Sequence, residues 1–359
     1  MYFDLFLPFP SPRETLGEPS SSKKKKDKGK GRAQPSEPSS STLTLKSCWD
    51  GIDIEDKEGF SKNVALSGHL GYNVIGCTIP IEPSSHAPDC PFRAHLPFPI
   101  LDPRNTSSQM GSSGGGGGGG GRGGPSMVQV SRLHMRLDDS KVHCFTGGNT
   151  NTLKDWDLLS VLVTSDKALQ LACTELANPG PNQISIISLP LHERPYHFRL
   201  NRKQIRQAQR LGVVFEILYS AALFPPSSVS AETARRYRQN WMTNAKEVVR
   251  VTGGKGVIFS SGPGGSAEGL RGPQDVVNLA TILGMPANLA KDAVSQNPKM
   301  VLLKAQARRT YKAVLSMPKL VPAPGQPLPA PNVIENGKVS PKRPAENSAP
   351  PMSKKVKVA

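Results

Sequence analysis

The chain has 359 residues, 34 of them Gly and 34 Pro, with only 36% hydrophobic and 6% aromatic residues, so part of it lacks the apolar surface that ordering requires. Lys and Arg total 45 against 28 acids, a net charge of +17 that points to a polyanionic partner. No apolar run approaches the roughly 20 residues of a membrane span, and no basic region precedes a hydrophobic one at the start; the five scattered cysteines form no C-x-x-C pair, which argues against a disulfide framework or zinc ribbon and leaves a nucleic acid in a reducing compartment as the expected setting.

In chain order, "MYFDLFLPF" reads as a first strand closed by Pro8 and Pro10. Lys23–Arg32 then sets seven basic residues against Asp27 alone, a solvated insertion that either only solubilises or touches phosphates non-specifically. Val64, Leu66 and Leu70 predict a short helix ended by Gly71, and "YNVIGCTI" a second strand. Residues 82–126, rich in Pro, Ser and Gly and including the run Gly114–Gly121, read as a disordered linker. From Met127 strands are predicted at "MVQVSRLHM", "DLLSVLVTS", "QISIISL", "VVFEILY", "GVIFSS" and "KMVLL", with helical spacing between them. The expected total is eight strands alternating with helices, which implies parallel pairing through crossovers and suits a closed TIM-like (β/α) barrel.

Two helices are well punctuated. Ala234, Tyr237, Trp241, Ala245 and Val248 form one apolar stripe behind the cap Ser230, which turns Arg236 away from the core. Gly272, Pro273 and Asp275 mark the start of another helix, and Gly284 ends it before Pro286 opens the next. The predicted division is therefore 1–81 for the first barrel strands with their basic insertion, 82–126 for the linker, 127–318 for the main part of the barrel, and 319–359 for a disordered tail. In that tail Lys342 and Arg343, a spacer, then Lys354, Lys355 and Lys357 read as a bipartite nuclear import signal.

Candidate chemistry is sparse. Hydrolytic barrels that cut phosphate esters commonly carry a His-x-His pair at the end of the first strand; here that strand supplies Asp4 and no histidine. His86, Cys90 and His95 lie in the linker without a partner pair, and adjacent His143 and Cys144 point to opposite faces of an extended chain. "GPGGSAEG" lacks the spacing of a phosphate-cradling loop. No cofactor or metal site is expected. The basic residues say more: Arg194, Arg199, Arg202, Lys203, Arg206 and Arg210 meet only Glu193, with Tyr196 and Phe198 interleaved, and Arg235, Arg236, Arg238 and Arg271 follow on the next two strand–helix units. Arg199, Arg202, Lys203, Arg235, Arg236, Arg238 and Arg271 are the expected RNA contacts.

"LGVVFEILYSAAL", "ETARRYRQNW", "GKGVIFSSG", "LRGPQDVVNLATILGM" and "LAKDAVSQNPKMVLLKAQARRTYKAV", in this order, resemble the barrel-fold, roughly thirty-kilodalton protein subunit of ribonuclease P and ribonuclease MRP, a eukaryotic and archaeal family. The resemblance is dense from about Asp155 to Met317 and looser before that. It implies an α/β, TIM-like barrel similar to metal-dependent phosphoesterase barrels but without their metal constellation. It also implies a non-catalytic subunit in the nucleus, specifically the nucleolus. Its partners would be the catalytic RNA, precursor tRNA within the particle and other protein subunits, with no membrane. The alternative is a divergent metal-dependent barrel phosphoesterase. Glu216, on an apolar strand, is expected to form a structural ion pair with an arginine such as Arg271 in preference to touching RNA or metal.

Overall fold

The computed structural model describes residues 1–11, 47–104, 126–192, 200–225, 228–264 and 267–310. All of them lie in one of the chain's two units, Met1–Met317. The import residues Lys342, Arg343, Lys354, Lys355 and Lys357 fall outside the described residues, as do Arg194 and Arg199.

Seven strands form one sheet in sequence order: β1 (Phe3–Pro8), β2 (Val74–Ile81), β3 (Val128–Leu137), β4 (Leu158–Val163), β5 (Ile186–Ser188), β6 (Val214–Leu218) and β7 (Val257–Ser260). Every neighbouring pair is parallel. The helices are α1 (Ile54–His69), α2 (Thr150–Lys154), α3 (Asp166–Leu171), α4 (Arg202–Arg210), α5 (Ser220–Leu223), α6 (Ala231–Thr252), α7 (Pro273–Ile282), α8 (Ala287–Val294) and α9 (Gln296–Arg309). The sheet curls until β7 meets β1. There the Ser261 amide donates to Asp4 Oδ1 at 3.1 Å, the Ser261 hydroxyl to the Phe6 carbonyl at 2.6 Å, and the Gly262 amide to the same carbonyl at 3.2 Å.

The expected eighth strand is absent among the described residues. "KMVLL" is instead part of α9. A short apolar run fits either element; here Pro298 sits buried in the first turn, good helix formers follow, and Val301 and Ala305, four apart, are buried on one face. That helix closes the base of the barrel. Val301 and Ala305 join Phe3, Leu5, Val74, Val130, Leu158, Ile186, Val214 and Ile258 in a cluster formed by the inward residues of the strands. Arg308, also buried, fixes α9 by donating to the carbonyls of Leu153 at 3.1 Å, Pro181 at 3.0 Å and Trp156 at 2.5 Å.

Residues 82–104 are ordered and partly built into the core, contrary to the linker expected from their composition. Cys90 and Phe92 are buried. The Trp156 indole donates to the Pro88 carbonyl at 3.1 Å, and Gln129 exchanges hydrogen bonds with the backbone of Phe98 at 3.0 and 2.6 Å. Long-range partners, invisible to local composition, supply this order. The helix punctuation reads out directly: Ser230 Oγ accepts from the Thr233 amide at the start of α6, Gly272 precedes α7, and Gly284 has the left-handed φ of 95°. The predicted short first helix is longer, a full 16 residues.

Candidate nucleic-acid interface

Two steps beyond each apolar inward residue, the strands present a second layer towards the C-terminal mouth. Val130 is followed by Arg132, Leu158 by Ser160, Ile186 by Ser188, Val214 by Glu216 and Ile258 by Ser260, all on the inward face because side chains repeat every two residues. Arg132 and Glu216 are both fully buried. The pair is bidentate: Nη1 donates to Oε1 at 2.7 Å and Nη2 to Oε2 at 2.5 Å. The remaining guanidinium protons go to Ser160 Oγ at 2.8 Å, the Leu5 carbonyl at 2.9 Å and, more weakly, Ser188 Oγ at 3.4 Å. Ser188 in turn donates to Glu216 Oε2 at 2.5 Å.

A bulge makes the Leu5 carbonyl available. Asp4 pairs with Ile75 and Leu7 with Cys77, so Leu5 and Phe6 together oppose Gly76. A Cβ at Gly76 would lie 2.2 Å from that carbonyl oxygen, so only glycine admits the approach. The bulge also brings the Phe6 ring over the Arg132 guanidinium at 4.7 Å and edge-on to His134 at 4.8 Å. The centre of the barrel is thus filled by protein groups.

The structure corrects the partner expected for Glu216. Arg271, in the loop before α7, lies over the Phe224 ring at 4.7 Å and donates to the carbonyls of Glu268 and Leu270 at 2.9 and 2.8 Å. It belongs to the outer rim. Arg132 points directly into the barrel and reaches Glu216 across it. Burial alone would raise the Glu216 pKa, but the charge and hydrogen bonds of Arg132 outweigh it and hold the carboxyl below its ordinary range. Burial, reinforced by Arg132, pushes His134 down to about 3. Its Nδ1 lies 2.9 Å from Ser160 Oγ, which donates its own proton to the Leu133 carbonyl, so Nδ1 carries the hydrogen. Asp4 faces away from the barrel centre, and burial lifts it to about 6 against the opposing amides of Ser261 and Phe6. Among the described residues no group of three His, Cys, Asp or Glu side chains is placed to hold a metal ion.

The exposed cations lie outside the barrel. Asn201 caps α4 by accepting from the Lys203 amide at 3.0 Å, and the helix buries Ile205 and Ala208. Arg202, Arg206 and Arg210 are exposed at four-residue steps, about 6 Å apart along the axis, with Lys203 beside them. No ion pair holds these four among the described residues. The helix packs against α6, whose Asn240 and Asn244 bind the carbonyls of His192 and Leu191 at 3.3 and 2.8 Å. Arg235, Arg236 and Arg238 are exposed near the start of α6, but Arg236 is held by Glu232 at 2.5 Å. Since each helix starts where its strand ends, Arg202, Lys203, Arg235, Arg236, Arg238 and Arg271 share the mouth side of the barrel; Arg206 and Arg210 continue down α4. Sequence reading missed the inward pair Arg132 and His134, although a charged residue alternating with Val130 on a strand was the available signal.

These features define a TIM-like α/β barrel with a filled centre and a basic helical flank. The chain belongs to the family described as RNase P subunit p30, whose model matches residues 122–310. It is 31% identical over 184 residues to Protein GAMETOPHYTE DEFECTIVE 1 of Arabidopsis thaliana, covering 51% of this chain and 29% of that protein. Over 192 residues it is 29% identical to Ribonuclease P protein subunit p30 of Mus musculus, covering 53% and 65%. Over 169 residues it is 30% identical to Probable ribonuclease P protein subunit 3 of Schizosaccharomyces pombe, covering 46% and 64%. The matched region thus spans less than two thirds of the length of each of these relatives.

Proposed function

We propose that the chain is a non-catalytic, RNA-binding protein subunit of ribonuclease P, acting in 5′-end maturation of precursor tRNA, and of ribonuclease MRP, acting in ribosomal RNA processing. Its partners are the catalytic RNAs, precursor tRNA within the particle and other protein subunits; it works in the nucleus and nucleolus, delivered by the basic clusters at Lys342–Arg343 and Lys354–Lys357. The observation that carries the reading is the ridge Arg202, Arg206 and Arg210 on α4, exposed, with no acid paired to it among the described residues, and continued by the cations of α6 and Arg271. Family membership supplies the particle. The arginine at the barrel centre supports a scaffolding role, because it and its partners occupy the end of the strands where barrel enzymes place reacting groups.

Immunoprecipitation of the tagged protein followed by sequencing of its RNA tests the reading. Recovery of the ribonuclease P and MRP RNAs is expected, with strong loss of both when Arg202, Arg206 and Arg210 are changed to Gln. The purified protein alone should leave precursor tRNA intact in Mg²⁺ or Mn²⁺. Cleavage by the protein alone would establish the phosphoesterase alternative instead.

A further inference from the structure

Helix α4 is anchored from beneath. Ile205 and Ala208 are buried, Asn201 caps its start, and at its far end Gln209 donates to the Lys255 carbonyl at 2.6 Å while Lys304 donates to that of Leu211. Its outer face is a row: Arg202, Arg206 and Arg210 at four-residue steps, with Lys203 and Gln207 beside them, all exposed. At 1.5 Å per residue the three arginines span about 12 Å of a rigid rod. No acid occurs in the sequence between Glu193 and Glu216. Arg202 and Lys203 stand in the first turn, at the positive end of the helix dipole, which they oppose without an accompanying acid. Folding alone does not account for that arrangement; a bound polyanion does.

The shape of the row narrows the kind of RNA. Proteins that take unpaired strands use a basic groove with rings on which the bases stack. The outer face of α4 is instead convex, and its exposed side chains end in guanidinium, ammonium and amide groups, with no ring among them. Of the described rings on the mouth side, Phe224 is covered by Arg271 and Tyr237 meets His192 edge-on; Tyr196 and Phe198, ahead of α4, lie outside the described residues. Evenly spaced cations on one rigid rod are the complement of evenly spaced phosphates on another, and a base-paired strand repeats its phosphates at a distance close to one step of the row. The deep, narrow major groove of A-form RNA excludes a helix about 10–12 Å across, which leaves the phosphate rim as the surface α4 can follow.

We propose that α4 docks on the phosphate backbone of a base-paired, A-form segment of the particle's RNA, its arginines following successive phosphates of one strand whatever the sequence. The inference rests on the reading of the chain as an RNA-binding subunit, and the test separates the two. Full-length wild-type protein and the variant Arg202→Gln, Arg206→Gln, Arg210→Gln are titrated over a range of salt against a blunt RNA duplex of two helical turns and against oligouridine of the same length. Oligouridine reports any stacking platform that Tyr196 and Phe198 supply. On the duplex the variant should bind at least tenfold more weakly, with the salt slope reduced by about 2.7, that is about 0.9 for each of three contacts. On oligouridine it should lose less than about threefold, and the melting temperature should stay the same. An equal loss on both probes, a larger loss on oligouridine, or no loss on the duplex overturns the proposal. Should one of those results appear while the wild-type protein still precipitates the ribonuclease P and MRP RNAs, the docking inference alone fails; absence of both RNAs from the precipitate, with the duplex preference intact, counts against the functional reading alone.

Discussion

Arg132 and Arg206 carry the same charge in opposite settings. Arg132 is fully buried and divides its protons among Glu216, two serines and a carbonyl; Arg206 is exposed on α4, one turn from Arg202 and one from Arg210, with no paired acid among the described residues. Inside the barrel the guanidinium is a stability element, because either partner left alone would be an uncompensated charge in a dry interior. On the helix the crowding of like charge is mildly unfavourable to the folded chain and is relieved by a polyanion. The net charge of +17 counts both kinds equally. Position decides which arginines bind and which hold the fold together.

The largest expected effect sharpens the inner half of this contrast. Glu216→Ala or Arg132→Ala should each destabilise by about 3–5 kcal/mol in urea unfolding, whereas Arg132→Met combined with Glu216→Leu should cost less than either single change. A single change costing under about 1 kcal/mol would remove the distinction between the two settings.

Next come two opposed titrations in the core. Below the ordinary His value of 6.5 the unfolded chain takes up a proton that native His134 refuses until about 3, so acid destabilises the fold through this residue. By pH 4 the difference reaches 2.5 pH units, about 3 kcal/mol. Asp4 acts the other way: its native carboxyl binds a proton below about 6 while the unfolded one waits until 3.8, so acid stabilises through Asp4 by about 2 kcal/mol at pH 4, and that gain disappears as pH rises through 6. Relative to wild type, His134→Gln should therefore gain stability between pH 7 and 4, and Asp4→Asn should lose it. Parallel pH–stability curves for all three proteins would contradict these assignments.

The outer half is tested by salt. Arg202→Gln, Arg206→Gln and Arg210→Gln should each lower the slope of log affinity against log salt by about 0.7 to 0.9, additively and on RNAs of unrelated sequence. Thermal melts should hardly change. The smallest effect is expected for Arg236→Ala, where Glu232 already offsets the charge: stability within about 0.5 kcal/mol and a salt-slope change below that of any α4 arginine. An equal slope change at Arg236 would show that the Glu232 pair does not matter to binding.

Much of the barrel was legible because short apolar runs bounded by glycine, proline and polar turns announce β1 to β7, and Ser230, Gly272 and Gly284 announce the ends of α6 and α7. What failed depended on distance. Glu216 was recognisable as needing a partner, but the identity of that partner depends on how far each strand is staggered around the barrel, which no local pattern records. The bulge at Leu5 and Phe6 and its glycine, Gly76, lie 71 residues apart. Cys90 and Phe92 are set among prolines, and contacts distant in sequence, from Phe9, Trp49, Gln129 and Trp156, order their surroundings. "KMVLL" was ambiguous until the base of the barrel showed what Val301 and Ala305 had to cover.

The helical plug imposes an order of events on folding. During synthesis β1 leaves the ribosome before the six other strands, yet Phe3 and Leu5 complete their cluster only with Val301 and Ala305 of α9, the last described helix. Until β7 arrives, the free side of β1 is a bare sheet edge able to pair with any extended chain. Loop closure over nearly the whole barrel must precede these contacts, which makes assembly slow and leaves the nascent chain prone to aggregate. A ribosome stalled before α9 should therefore present a chaperone substrate, with protection of β1 from hydrogen exchange appearing only after residue 309 has cleared the exit tunnel.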